Sequence, residues 1–90
     1  MKTIKIKLVG TVQGVFFRKF IKDTADEMNI RGFVRNLNDG TLEIFAEGRD
    51  ERVNEFLIRC KQGPSHADVK KAEVDNMKFQ DFKGFKILKM

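Results

Sequence analysis

Ile4, Ile6 and Leu8 alternate with Lys5 and Lys7. A period of two is that of a strand with one buried face. Gly10 and Gly14 break the alternation. Phe17, Phe20, Ile21, Thr24, Ala25 and Met28 then recur at helical spacing, and Lys19, Lys22, Asp23, Asp26 and Glu27 fill the opposite side. This pattern predicts an amphipathic helix ending near Asn29, with Gly32 soon after. Phe33–Leu37 and Leu42–Ala46 read as two strands joined by Asn38-Asp39-Gly40, a hairpin signal because Asp-Gly readily takes positive backbone angles. Val53, Phe56, Leu57 and Cys60 form a second helical stripe, with Asp50 as its expected N-cap and Gly63-Pro64 as its stop. Ala67–Val74 reads as a fourth strand in which Val69 has one parity and Ala72 and Val74 the other, so a bulge is expected near Lys70-Lys71. Phe85 and Ile87 suggest a short final strand.

The order strand–helix–strand–strand–helix–strand, with a C-terminal extra strand, matches the α+β ferredoxin-like α/β sandwich. An antiparallel sheet with both helices on one face is expected. In that topology the first and second strands run parallel with the third between them. Their C-terminal ends then share one edge of the sheet. The segment Gly10–Arg18 follows the first strand and Asn36 ends the second, so the fold would bring these distant segments together.

Ninety residues fit one domain, expected over 1–90. A chain of this size buries about 60–65% of its unfolded surface, which makes a modest core. Hydrophobic residues make up 41% and charged residues 34%, a balance that excludes a disordered chain. The formal net charge of +5 favours anions without choosing among phosphate metabolites, nucleic acid and acidic surfaces. Cys60 is the sole cysteine, so no intramolecular disulfide can form, which suits a reducing cytosol; a cytoplasmic protein is expected. The first ten residues lack the continuous apolar stretch of a signal peptide, and no run approaches the ~18 residues of a membrane span.

The candidate chemistry lies in Gly10-Thr11-Val12-Gln13-Gly14-Val15-Phe16-Phe17-Arg18. A strand leads through a loop with two glycines into a helix. Unpaired N–H groups cluster at a helix start, and the helix dipole adds partial positive charge, which together favour an anion. Arg18, in the first helical turn, offers a planar fork matched to phosphate oxygens. The segment has neither the Walker spacing nor the dinucleotide-binding GxGxxG. An ordinary strand-to-helix turn followed by a solvated arginine fits the same residues, and spacing alone leaves both readings open.

Val12-Gln13-Gly14-Val15-Phe16-Phe17-Arg18 resembles the VQGVxFR signature of the acylphosphatase family. Gly32-Phe33-Val34-Arg35-Asn36-Leu37-Asn38-Asp39-Gly40 is similar to its second signature, G-[FYW]-V-x-N-x-x-D-G. Ala46-Glu47-Gly48, Gly63-Pro64 and Phe85-Lys86-Ile87 match further along, and the resemblance spans essentially the whole chain. Phe33 stands where many members have Trp, a difference of packing. The resemblance implies a hydrolase that cleaves the carboxyl–phosphate bond of acyl phosphates, releasing a carboxylate and inorganic phosphate. Arg18 matches the family's phosphate-binding arginine and Asn36 the asparagine that orients the attacking water. The loop amides correspond to Gln13, Gly14, Val15, Phe16, Phe17 and Arg18, with Gly14 nearest the phosphate. No metal and no organic cofactor are implied. The chemistry suits so small a set of groups, because a carboxylate leaves without much general-acid help and phosphoryl transfer gains mainly from positioning and charge stabilisation. No Ser, His or Cys sits beside the cradle, so a covalent intermediate is not expected.

Cys60 lies on an apolar stripe and reads as a buried, inert thiol. His66, the only histidine, follows a Gly-Pro turn and reads as a surface or capping residue. Asp39 reads as structural within its turn and Lys70-Lys71 as a solvated bulge, and no spaced ligand cluster suggests a metal. The main rival is an RNA-binding module of the same fold. Arg31-Gly32-Phe33 mimics the opening of an RNP1 motif, but the match fails at Val34-Arg35-Asn36 and falls on the second strand instead of the third. On the third strand the open face should carry Glu43, Phe45 and Glu47, a poor platform for stacking bases. Lys5 and Lys7 are expected to pair with those carboxylates. A second rival is a non-catalytic acylphosphatase-like module; a chain from Met1 to just past the last strand, with Arg18 and Asn36 present, favours a free-standing enzyme. The partners expected are an acyl phosphate substrate and inorganic phosphate or sulfate at the cradle, with no specific nucleic acid, no membrane and a monomeric state.

Overall fold

The structure, a computed structural model, describes residues 1–89. In chain order its elements are β1 (Lys2–Thr11), α1 (Val15–Glu27), β2 (Arg31–Asn36), β3 (Leu42–Gly48), α2 (Asp50–Gln62), β4 (Asp68–Met77) and β5 (Phe85–Ile87). They form a five-stranded sheet in the order β4-β1-β3-β2-β5. β3 pairs antiparallel with both β1 and β2, so those two run parallel, as the ferredoxin-like order requires.

The alternation in β1 sends Ile4, Ile6 and Leu8 to the face that both helices cover. Leu42, Ile44 and Ala46 of β3 join them there, with Val34 of β2. Phe17, Ile21 and Ala25 of α1 and Val53, Phe56 and Cys60 of α2 close the core. Burial of this apolar surface is the main force holding the layers together. Phe56 is fully buried and meets the ring of Phe85 edge-on at 6.1 Å, which seats β5.

α1 ends at Glu27 and Asn29 turns left-handed at φ 56°, in keeping with the expected stop. α2 begins at Asp50, so Arg49 occupies the N-cap position expected for Asp50. Asp50 instead lies in the first turn, where the helix dipole favours its charge, and pairs with the Met1 ammonium at 3.3 Å. The parity conflict in the fourth strand is resolved by a bulge. Val9 pairs with Lys71 and Gly10 with Val69, leaving Lys70 as the extra residue. Gly10 is required there: at φ 135° a Cβ would lie 2.1 Å from the Asp68 carbonyl oxygen.

The sheet is mixed, not wholly antiparallel, because β5 pairs parallel with β2. β4 and β2 stand on opposite sides of the central pair. The chain leaving β4 therefore crosses the helix-free face and returns in the opposite direction, which is that of β2. Its crossing segment carries Phe82 onto Phe33 at 5.9 Å and onto Phe45 at 6.1 Å. The amides of Gln80 and Phe82 donate to Glu47 at 2.6 and 2.9 Å.

That strap changes the open face. Glu43, Phe45 and Glu47 do share it, but Glu47 is fully buried beneath the strap. Phe45 is not a lone ring, since Phe33 stacks on it at 4.6 Å. The expected pairing of Lys5 and Lys7 with these carboxylates gives way to other contacts. Lys7 pairs with Asp39 at 3.2 Å, Arg35 takes Glu43 at 2.7 Å, and Thr3 donates its hydroxyl to Glu47. Arg35 is directly opposite Glu43 in the β2–β3 register, and Thr3 is directly opposite Glu47 in the β1–β3 register, so each contact is cross-strand.

Candidate active site

The site is assembled at one edge of the sheet. Leu42 is the register partner of Leu8 in β1 and of Asn36 in β2, so the C-terminal ends of those strands lie level across one residue. The loop after β1 and the end of β2 are thereby neighbours. Gln13 ties them: its Nε2 donates to the carbonyls of Leu37 at 2.8 Å and Thr41 at 3.0 Å, at the two ends of the β2–β3 turn. This bracing role of the Gln13 side chain has no signature in the sequence, where Gln13 is a single polar residue in a loop.

The turn is a three-residue connection, closed by the Leu37 amide donating to the Thr41 carbonyl at 2.9 Å. Gly40 takes φ 88° while Asp39 does not turn left-handed. Asp39 acts through its carboxylate, accepting from the Thr41 hydroxyl at 2.6 Å and the Thr41 amide at 3.0 Å. The Thr41 hydroxyl, then its amide, then Lys7 hold the Asp39 carboxyl down to about 2. Its role is structural.

α1 begins at Val15 with Gly14 at its N-cap, and no side chain caps it. Gly14 has φ 122° and ψ 163°, a region essentially reserved for glycine. A Cβ there would meet nothing within 4 Å, so backbone conformation and not crowding within the protein demands the glycine. Among the described residues, the amides of Gln13 through Phe17 donate to no carbonyl of the protein. The Arg18 amide differs, donating to the Gly14 carbonyl at 3.3 Å to close the first helical turn. Arg18 thus offers the site its side chain. Its Nε leans on the same carbonyl at 3.5 Å, and among the described residues no carboxylate comes within ion-pair distance of it. The first turn of α1 holds no acidic residue.

Asn36 contributes the second feature. Its Oδ1 is buried and accepts no hydrogen bond from the protein. A buried acceptor without a donor is costly, and such exceptions cluster where a ligand or a reacting molecule supplies the partner. Val15 and Phe16 stand exposed at the rim, Phe16 by 83%. Beside them the α2–β4 connection closes a cleft of about 140 Å³, lined by Phe16, Phe17, Pro64 and His66 among others. Ser65 and His66 therefore stand beside the loop, against the expectation that no Ser or His does, because the α2–β4 connection folds back onto the start of α1. Cys60 is fully buried, and desolvation pushes its thiol far above the ordinary range, so it is no nucleophile. Among the described residues no group of His, Cys, Asp or Glu is arranged to hold a metal.

The fold is that of the small α+β ferredoxin-like sandwiches, here with free amides and, among the described residues, an arginine without a carboxylate partner at the start of the first helix, an arrangement suited to an anion. The comparisons narrow that class. The acylphosphatase family model matches residues 4–87. An acylphosphatase of Syntrophus aciditrophicus is 40% identical over 89 residues, covering 98% of this chain and 93% of that protein. One from Archaeoglobus fulgidus is 37% identical over 87 residues, covering 97% and 98%. The crystal structure of acylphosphatase from Bacillus subtilis superposes with a TM-score of 0.93 at 32% identity, covering 98% of this chain and 99% of that one. The chain belongs to the acylphosphatase family, and its activity is the hydrolysis of acyl phosphates.

Proposed function

We propose that residues 1–90 act as one acylphosphatase domain in which Arg18 and the amides of Gln13 through Phe17 hold the phosphoryl group and Asn36 aims the attacking water. The free amides supply donors whose partial charge is reinforced by the α1 dipole. The Arg18 guanidinium supplies a full charge and two parallel donors. Both stabilise negative charge as it moves over the phosphoryl oxygens toward the leaving carboxylate. Asn36 Oδ1 accepts a hydrogen bond from water and directs an oxygen lone pair at phosphorus. Bond cleavage releases the carboxylate and inorganic phosphate. The observation that carries the reading is the buried Asn36 Oδ1, which accepts no hydrogen bond from the protein and sits at the end of β2 beside the turn that Gln13 ties to the loop of free amides. The lone, buried Cys60 suits the reducing cytoplasm as the place of action.

The test is hydrolysis of benzoyl phosphate in excess EDTA. Full activity there, with little action on simple phosphate esters, is the expected result. Activity abolished by EDTA and restored by Mg²⁺ would falsify the metal-free reading.

A further inference from the structure

A sizeable cleft lies away from the active site. It measures about 370 Å³ and is lined by Met1, Asn29, Arg31, Gly48, Arg49 and Arg52. These residues come from the start of β1 and β2, the end of β3 and the first turn of α2, so the cleft sits at the opposite end of the sheet from the Gln13–Arg18 loop. The ten residues of β1 separate the two ends, about 30 Å at the rise of a strand, in a molecule 31 Å long. No one ligand of small-molecule size reaches both.

Three arginines from two backbone segments, Arg31 at the start of β2 and Arg49 and Arg52 at the start of α2, line this cleft. Among the described residues none of them has a carboxylate within ion-pair distance. Arg52 is oriented by its Nη1 donating to the Met28 carbonyl at 3.2 Å, and among the described residues its other nitrogens donate to no protein group. Of the three carboxylates nearby, two are engaged elsewhere and the third points to solvent. Glu47 is opposite Arg31 in the β2–β3 register, but its oxygens are taken by Thr3 and the amides of Gln80 and Phe82. Asp50 is held by the Met1 ammonium. Glu51 is exposed in the first turn of α2. Glu47 compensates Arg31 only in part and at a distance beyond an ion pair, so the three cations still repel one another, and a bound anion relieves that repulsion.

We propose that this cleft is a second anion site, independent of the active site, that takes a small inorganic polyphosphate. Arginine forks suit phosphoryl oxygens, and three forks lining one cleft suit a ligand with several phosphoryl groups. The volume exceeds the needs of one tetrahedral oxyanion. The lining has no aromatic ring on which a base would stack, which favours the bare polyphosphate over a nucleotide.

The experiment is a titration of the ¹⁵N-labelled protein with tripolyphosphate, followed by residue-resolved NMR at constant ionic strength in chloride. Two separate groups of amides should move: one over residues 13–17 and one over residues 29–31 and 48–53. Arg49→Ala and Arg52→Gln should each weaken the second response about ten-fold or more and leave the first in place. Arg18→Ala should do the reverse. Arg52 also holds a backbone carbonyl, so Arg49→Glu, at an exposed position, provides a variant that spares the fold. If the amides at 29–31 and 48–53 stay still, or respond equally in wild type and Arg49→Glu, there is no such site. A nucleoside triphosphate bound ten-fold more tightly than tripolyphosphate there would overturn the ligand class.

Discussion

Arg18 and Asn36 are assigned different tasks, and different measurements separate them. Arg18 is assigned to the phosphoryl oxygens, so it should govern the binding of product phosphate. A ligand at a hundred times its dissociation constant stabilises the native state by ~2.7 kcal/mol. In a domain of this size each kcal/mol moves the melting midpoint by roughly 4–8 °C. High phosphate should therefore raise the midpoint plainly against chloride at equal ionic strength, and Arg18→Ala should abolish most of that shift. Arg18→Lys should keep some binding and lose much of the rate, since an ammonium cannot make two parallel hydrogen bonds. Equal phosphate shifts in wild type and Arg18→Ala would remove Arg18 from the site. Asn36 is assigned to water, so Asn36→Ala should lower kcat strongly while the phosphate shift survives. Near-normal turnover in that variant would end its role.

At the scale of elements, the segment between β4 and β5 behaves as a clasp across the helix-free face, and Glu47 is its buried anchor. Burial pushes the Glu47 carboxyl up. The Gln80 amide, the Thr3 hydroxyl and the Phe82 amide, with Arg31 beyond them, outweigh that and hold it below the ordinary 4.5. A lowered carboxyl contributes stability that is fully present above its unfolded value and is lost as pH falls through its folded one. Asp39, held at about 2 against an ordinary 3.8, acts in the same direction. Stability should thus decline as pH drops below about 4.5. Glu47→Gln replaces one acceptor oxygen with a donor that faces an N–H or O–H donor. It should cost about 1–3 kcal/mol at pH 7. Thermal melts at pH 7 and pH 3 check this: the gap between wild type and variant should narrow at the lower pH. A gap that stays constant would mean that Glu47 does not anchor the clasp as a carboxylate.

For the whole molecule, the net charge of +5 sets the non-specific behaviour. The helix-free face carries the stacked pair Phe33–Phe45 and Arg35 at 5.7 Å from the Phe33 ring, groups that nucleic-acid platforms also use. Phe82 lies edge-on against both rings, and Glu43 engages Arg35. RNA should therefore bind weakly, without sequence preference, and dissociate as salt rises, because only the electrostatic attraction is available. Salt-resistant, sequence-selective binding at submicromolar affinity in a filter or fluorescence assay would reopen the RNA-binding reading.

Local chemistry determined the elements. The period-two run at Ile4–Leu8, the helical stripes from Phe17 and Val53, Gly63 at the stop of α2 and Gly40 in the β2–β3 turn are short-range signals, and each element falls close to where they place it. Even the bulge at Lys70 was legible, because a parity conflict within one strand has few other solutions. The long motifs around Arg18 and Asn36 identified the family, and the βαββαβ order put both segments at one edge of the sheet. Only the tertiary structure decided the long-range partners of polar side chains. A lone Gln13 gives no hint that it will brace a turn 24 residues away, and Glu47 in an alternating strand reads as exposed until a strap from beyond β4 covers it. The parallel seating of β5 and the approach of Arg31 to the Arg49–Arg52 pair at the start of α2 have the same origin. Hydrophobic periodicity specifies which face of an element is buried, but it carries no information about which distant chain segment will cross the other face.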